Sequence, residues 1–64
     1  MPIIDITLFE GREPTLKREL MKEVTELVAG KLELPPEAVT IVLREIPRAH
    51  LSEGGVPFSE RGPH

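Results

Sequence analysis

The chain of 64 residues has no cysteine, no tryptophan and no tyrosine, and it has only two histidines. Without cysteine it forms no disulfide, and its two histidines are not spaced like the ligands of a structural zinc ion. No apolar run approaches the roughly 20 residues that a membrane-spanning helix requires. Few groups that could perform chemistry are therefore left.

An excess of positive charge is also missing. The formal net charge is −3 and the sequence pI is about 5.3, with no basic stripe, which argues against a nucleic-acid-binding protein. Because no signal peptide precedes the first strand pattern, we expect a cytoplasmic location. A single domain of this length is near the limit at which one hydrophobic core is stable on its own.

Two strand patterns flank an amphipathic helix. Residues 2–9 alternate between apolar and mixed positions, as a β-strand does. Pro14 suits the first position of a helix, which Pro35-Pro36 must end. Within it, apolar residues recur at spacings of three and four, namely at Leu16, Leu20, Val24, Leu27, Val28 and Leu32. Residues 39–46 alternate again and predict a second strand.

The remaining residues predict a C-terminal hairpin and a tail. Gly54-Gly55 is a turn signal within residues 48–58. The polar residues 59–64 are expected to fray. The fold class is therefore α+β: a single βαβ unit with parallel strands plus a C-terminal hairpin, in one domain over residues 1–64. One helix covers only one face of two strands, so we expect an obligate oligomer.

Pro2 is the most informative residue. If Met1 is removed, the nitrogen of Pro2 changes from an inert amide to a secondary amine, which can exchange a proton near neutral pH where its surroundings disfavour the cation. Pro2-Ile3-Ile4, then Glu10-Gly11-Arg12, a βαβ unit and Gly54-Gly55 together resemble the 4-oxalocrotonate tautomerase family, over residues 2 to about 58.

The resemblance implies an isomerase of aromatic degradation that needs no metal or organic cofactor. Such enzymes interconvert enol and keto forms of unsaturated acids such as 2-hydroxymuconate, and they assemble as hexamers. A homo-hexamer is expected, with a hetero-hexamer as the other possibility. By this resemblance, Pro2 corresponds to the catalytic base and acid, and Arg12 corresponds to the residue that binds a substrate carboxylate. Leu51 stands where the family has an aromatic pocket residue.

Thr40 departs from the family, whose tautomerases carry a second arginine at this position. Threonine can donate one hydrogen bond but carries no charge. Parallel strands place Pro2 beside residues 39–40, whereas Arg12 follows the far end of the first strand, roughly 20 Å away at about 3.3 Å per residue. A site that uses both Pro2 and Arg12 must therefore lie between subunits.

Two alternatives stay open. Relatives that hydrate or dehalogenate three-carbon unsaturated acids carry a water-activating glutamate near the position of Glu53, although they use an arginine where this chain has Phe9. The other alternative is a non-catalytic subunit of a hetero-oligomer whose partner supplies the missing arginine. Arg44 is expected in a surface or interface ion pair, with a glutamate as a candidate partner. His50 is expected to be a surface residue.

Overall fold

The computed structural model describes residues 1–61. Strand β1 (Ile3–Phe9) leads to helix α1 (Pro14–Leu32), which returns the chain to strand β2 (Thr40–Ile46). The short strands β3 (Ser52–Glu53) and β4 (Val56–Pro57) follow as a hairpin. Single 3₁₀ turns precede β2 and flank the hairpin, at Pro36–Ala38, Arg48–His50 and Phe58–Glu60. Both the predicted α+β class and the βαβ unit with a C-terminal hairpin are confirmed.

The two long strands pair in parallel, with Ile3 opposite Thr40 and Phe9 opposite Ile46. Paired residues share a face. The covered face carries Ile4, Ile6 and Leu8, which are half-buried, and Glu45, which pairs with Lys17 of α1 at 2.7 Å. The open face carries the other set of positions from the two strands, namely Ile3, Asp5, Thr7, Phe9, Thr40, Val42, Arg44 and Ile46.

Helix α1 begins at Pro14 as predicted and ends at Leu32. Glu33 adopts a left-handed conformation (φ 55°), and its N–H donates to the carbonyl of Ala29, which closes the last turn before Pro35-Pro36. Strand β2 begins one residue later than predicted. Val39 instead donates its N–H to the carbonyl of Pro36 at 3.1 Å and completes a 3₁₀ turn.

The predicted apolar stripe of α1 is only partly covered by the sheet. Leu20, Val24 and Val28 are half-buried, but Leu16 and Leu27 are 52% and 62% exposed. At 100° per residue, Leu16 and Leu27 lie almost together on the flank of the helix, beyond the reach of two strands. They are therefore free to contact another chain.

The isolated subunit is extended and poorly buried. Ala29 is the one apolar residue of the described chain that is buried. The radius of gyration is 15.0 Å, whereas a compact domain of this length has about 11 Å. The accessible surface is 4984 Å², against about 4,100 Å² for a compact monomer of the same mass. Such a subunit needs cover from other chains, as the open sheet face predicts.

The hairpin turn falls at Gly54-Gly55, as predicted. Both glycines have positive φ, 61° and 83°, which suits the two central positions of a type I′ turn. Of the residues expected to fray, Ser59 and Glu60 continue a 3₁₀ turn, and residues 62–64, His64 among them, lie outside the described residues. Fraying of the tail stays a prediction. Within residues 1–61, no helix is both long and apolar enough to cross a bilayer.

Candidate active site

Pro2 and Thr40 lie side by side where the two parallel strands begin. The backbone N–H of Thr40 donates to the carbonyl of Pro2 at 3.0 Å, which extends the β1–β2 ladder by one bond. The Thr40 hydroxyl Oγ1 lies 3.5 Å from the sulfur Sδ of Met1. The predicted proximity of Pro2 and Thr40 is confirmed, because both strand starts are at one end of a parallel pair.

Arg12 and Leu51 lie at the opposite end of the sheet. The Arg12 guanidinium donates from Nη1 to the carbonyl of Phe9, the last residue of β1, at 3.1 Å. Leu51 closes a shallow, mostly apolar cavity of about 100 Å³, whose other lining residues are Thr7, Leu8, Phe9 and Ile46. This end of the sheet therefore offers a cation beside an apolar wall.

The strand length keeps these two groups apart within one subunit. Six residue steps separate Ile3 from Phe9, which is about 20 Å at 3.3 Å per step. The structure thus brings Pro2 together with Thr40, and it places Arg12 and Leu51 each next to Phe9, but it does not bring the first pair to the second. A small substrate could touch both groups only where two subunits meet.

Glu53 belongs to the hairpin and already has a partner. Its carboxylate lies 3.8 Å from Nη2 of Arg61, and the same nitrogen donates to the Glu53 backbone carbonyl at 3.1 Å. The Glu53 side chain is 62% exposed. If the Glu53 carboxylate activates water, then either Arg61 moves away from it or the Arg61 guanidinium stays beside the carboxylate during the reaction.

An aromatic and arginine stack, which the sequence reasoning missed, lies at the same end as Leu51. The rings of Phe9 and Phe58 are 5.1 Å apart between centroids. The guanidinium carbon Cζ of Arg48 lies 4.5 Å from the centroid of Phe9, and that of Arg61 lies 5.4 Å from the centroid of Phe58. The available sequence signal was that one of the two aromatic residues, Phe9, ends β1 and that the other, Phe58, directly follows the hairpin, each near a turn that carries an arginine.

Arg44 forms an ion pair on the open sheet face, as predicted. Its partner is Asp5 at 3.1 Å and not a glutamate, because Asp5 shares that face on the neighbouring strand. Both side chains are more than half exposed, so the pair contributes little to stability in a single subunit.

His50 is exposed at the end of a 3₁₀ turn, as expected. No group of three or more His, Cys, Asp or Glu side chains that could hold a metal ion occurs within residues 1–61.

Comparison with known proteins gives matches along nearly the whole chain. A family model described as Tautomerase enzyme matches residues 2–61. A 2-hydroxymuconate tautomerase from Pseudomonas putida is 37% identical over 60 residues, which are 94% of this chain and 95% of that protein.

Solved structures agree with the sequence comparison. The crystal structure of a 4-oxalocrotonate tautomerase homologue has a TM-score of 0.86 and 40% identity, and the match covers 98% of this chain and 100% of that one. A heterohexameric 4-oxalocrotonate tautomerase from Chloroflexus aurantiacus J-10-fl has a TM-score of 0.85 and 30% identity, with 94% and 97% covered.

Proposed function

Because this chain belongs to the tautomerase enzyme family, an isomerase family, we propose that it interconverts enol and keto forms of small unsaturated carboxylic acids such as 2-hydroxymuconate. Pro2 is the general base and acid once Met1 has been removed. The observation that carries the proposal is the position of Pro2, which stands at the open start of β1, next to Thr40, where the family match also begins.

The proposed reaction needs one proton carrier. The neutral amine of Pro2 takes the hydroxyl proton of the enol, the oxygen electron pair forms the carbonyl, and the conjugated double bonds shift. Pro2 then returns the proton to a distant carbon, so the reaction is an isomerisation with no other reactant. The reaction needs this amine to be neutral at the working pH, a state that nearby cations and an apolar enclosure favour.

Arg12 is the proposed carboxylate-binding residue. A guanidinium has five N–H donors in a planar fork, and the bond to the Phe9 carbonyl occupies one of them. The remaining donors suit a bidentate contact with a substrate carboxylate. Leu51 supplies an apolar wall for the carbon chain of the substrate.

Assembly completes the site in this proposal. One subunit offers Pro2 and Thr40, and another offers Arg12 and Leu51 from the far end of its sheet. The uncovered sheet face, the exposed flank of α1 and the large accessible surface support an oligomer. We propose a homo-hexamer, and the heterohexameric relative keeps a hetero-hexamer as the alternative.

Hydration or dehalogenation of three-carbon unsaturated acids is the second candidate function. It would use Pro2 as the acid and Glu53 to activate water, and the absence of an arginine at position 40 favours it. Two features stand against it: Glu53 is in contact with Arg61, and Phe9 occupies the position at which those relatives use an arginine.

A non-catalytic subunit of a hetero-oligomer is the third candidate. Thr40 motivates it, because the charge that would polarise the keto acid group is missing from this position. Such a subunit would be inactive alone and would gain activity only with a partner chain that supplies the arginine.

The test combines an intact-mass measurement with assays on 2-hydroxymuconate and phenylenolpyruvate. We expect a mass lower by one methionine and turnover of at least one enol by the purified protein. Absence of turnover with correctly processed protein would reject catalysis by this chain alone. A cytoplasmic location also stays a prediction, which cell fractionation checks.

A further inference from the structure

Phe9 holds two arginines at the end of β1. Its carbonyl accepts a hydrogen bond from Arg12 at 3.1 Å, and its ring lies 4.5 Å from the guanidinium carbon of Arg48. Arg48 reaches this position from the 3₁₀ turn that follows β2 and Pro47. The guanidiniums of Arg12 and Arg48, which we call the arginine pair, therefore both contact Phe9.

Among the described residues, the arginine pair has no acidic partner. Within residues 1–61, the carboxylates found within 4.0 Å of an arginine belong to Asp5 and Glu53, which face Arg44 and Arg61. Arg12 and Arg48 are both exposed, so each presents an uncompensated positive charge beside Phe9. An anionic ligand would neutralise these charges, which no carboxylate in the described part of the chain does.

The donors of the pair are available for such a ligand. Arg12 donates one N–H to the Phe9 carbonyl and keeps its other donors. Arg48 lies over the face of the Phe9 ring, which leaves the in-plane N–H groups of Arg48 free. The apolar cavity of about 100 Å³ that includes Phe9 and Leu51 is directly adjacent. Two anion-binding groups next to an apolar wall match a short carbon chain with a carboxylate at each end.

We propose that Arg48 is a second carboxylate-binding residue and that it makes this enzyme selective for dicarboxylate over monocarboxylate substrates. Arg48 stands with Arg12 at the end of the sheet that carries Phe9, so a neighbouring subunit would offer both guanidiniums to a substrate held at Pro2. The inference rests on the proposed function for its reaction, but the binding of anions by Arg48 can be measured without any turnover.

The binding test uses two acids with the same six carbons and the same two double bonds. trans,trans-Muconate has two carboxylates and sorbate has one. We expect the wild-type protein to bind muconate at least tenfold more tightly than sorbate, as judged by calorimetric titration, because a hydrogen-bonded charge pair exceeds the roughly 1.4 kcal/mol that a tenfold change requires.

Substitution of Arg48 separates its role from general charge. Arg48→Gln should weaken muconate binding at least tenfold and change sorbate binding less than twofold. Arg48→Lys, which keeps the charge without the fork, should recover part of the loss. Arg18→Gln removes an equal charge from an exposed position on α1 and should leave both affinities within twofold. Sedimentation of each variant checks that the assembly is unchanged.

Kinetics distinguish failure of this inference from failure of the proposed function. In Arg48→Gln, the KM for 2-hydroxymuconate should rise at least tenfold with kcat within threefold, and phenylenolpyruvate kinetics should stay within twofold. If the protein binds muconate selectively but turns over neither enol, the proposed function is rejected and the role of Arg48 in binding is retained. Equal losses for both acids, or none for muconate, would overturn the role of Arg48.

Discussion

Thr40→Arg is the substitution that most directly tests the layout of the Pro2 end of the site. Thr40 lies opposite Ile3, and its N–H bonds the Pro2 carbonyl at 3.0 Å, so a longer side chain at this position starts beside Pro2 on the open face. A new guanidinium there would add a cation at the Pro2 end of the site, in addition to Arg12 and Arg48 at the far end of a neighbouring subunit's sheet, and could bind a carboxylate or the keto acid group of a substrate. A charge-assisted hydrogen bond is worth about 1.5–3 kcal/mol.

That free energy corresponds to about a 10- to 150-fold rise in kcat/KM. We expect it for 2-hydroxymuconate, which has two carboxylates, and a much smaller rise for phenylenolpyruvate, which has one. Thr40→Met, which adds length without charge, is the matched control and should give no selective gain. If Thr40→Arg leaves both substrates unchanged or lowers both equally, then Thr40 does not face the substrate.

Three further predictions concern assembly, the alternative chemistry and local stability. Sedimentation at micromolar concentration should reveal no stable folded monomer, and a compact 7.1 kDa species would contradict the account of the uncovered faces. Glu53→Gln should keep tautomerase activity within a fewfold but abolish any hydration of 2-oxo-3-pentynoate. If the wild-type protein does not hydrate 2-oxo-3-pentynoate, the hydratase alternative is rejected. Gly30→Ala lies in α1 with open space around the added Cβ, so it should raise the free energy of unfolding by about 0.5–1 kcal/mol. Gly55→Ala should lower the free energy of unfolding, because Gly55 has φ 83°. Denaturation at fixed protein concentration measures both values, and a stabilising Gly55→Ala with a destabilising Gly30→Ala would contradict this prediction.

Much of the fold follows from periodicity in the sequence. The alternation of Ile4, Ile6 and Leu8 with polar and other residues identifies β1 but leaves open which face the helix covers, and Pro14 marks the start of α1 correctly. The errors have local causes. Val39 closes a 3₁₀ turn and so delays β2, and Leu16 and Leu27 fall outside the width that two strands can cover.

The candidate site could be predicted only in part. The proximity of Pro2 and Thr40 follows from parallel topology, because both strand starts lie at one edge. The contact of Arg48 with Phe9 could not be predicted, since it depends on how the chain turns after Pro47 and on the direction of a long side chain. The meeting of the two sheet ends depends on other subunits, which no pattern within one chain specifies.

The state of the Pro2 nitrogen tests the central claim most directly. While Met1 is attached, that nitrogen is an amide whose lone pair is delocalised into the carbonyl, and it has no useful basicity. The measurement is kcat/KM on 2-hydroxymuconate for preparations whose intact mass establishes the N-terminus: processed wild type, Pro2→Ala, and a variant with one alanine inserted before Pro2. We expect full activity only for the processed wild type, partial activity for Pro2→Ala and far less for the insertion. Undiminished activity in chains that keep a residue before Pro2 would contradict the claim.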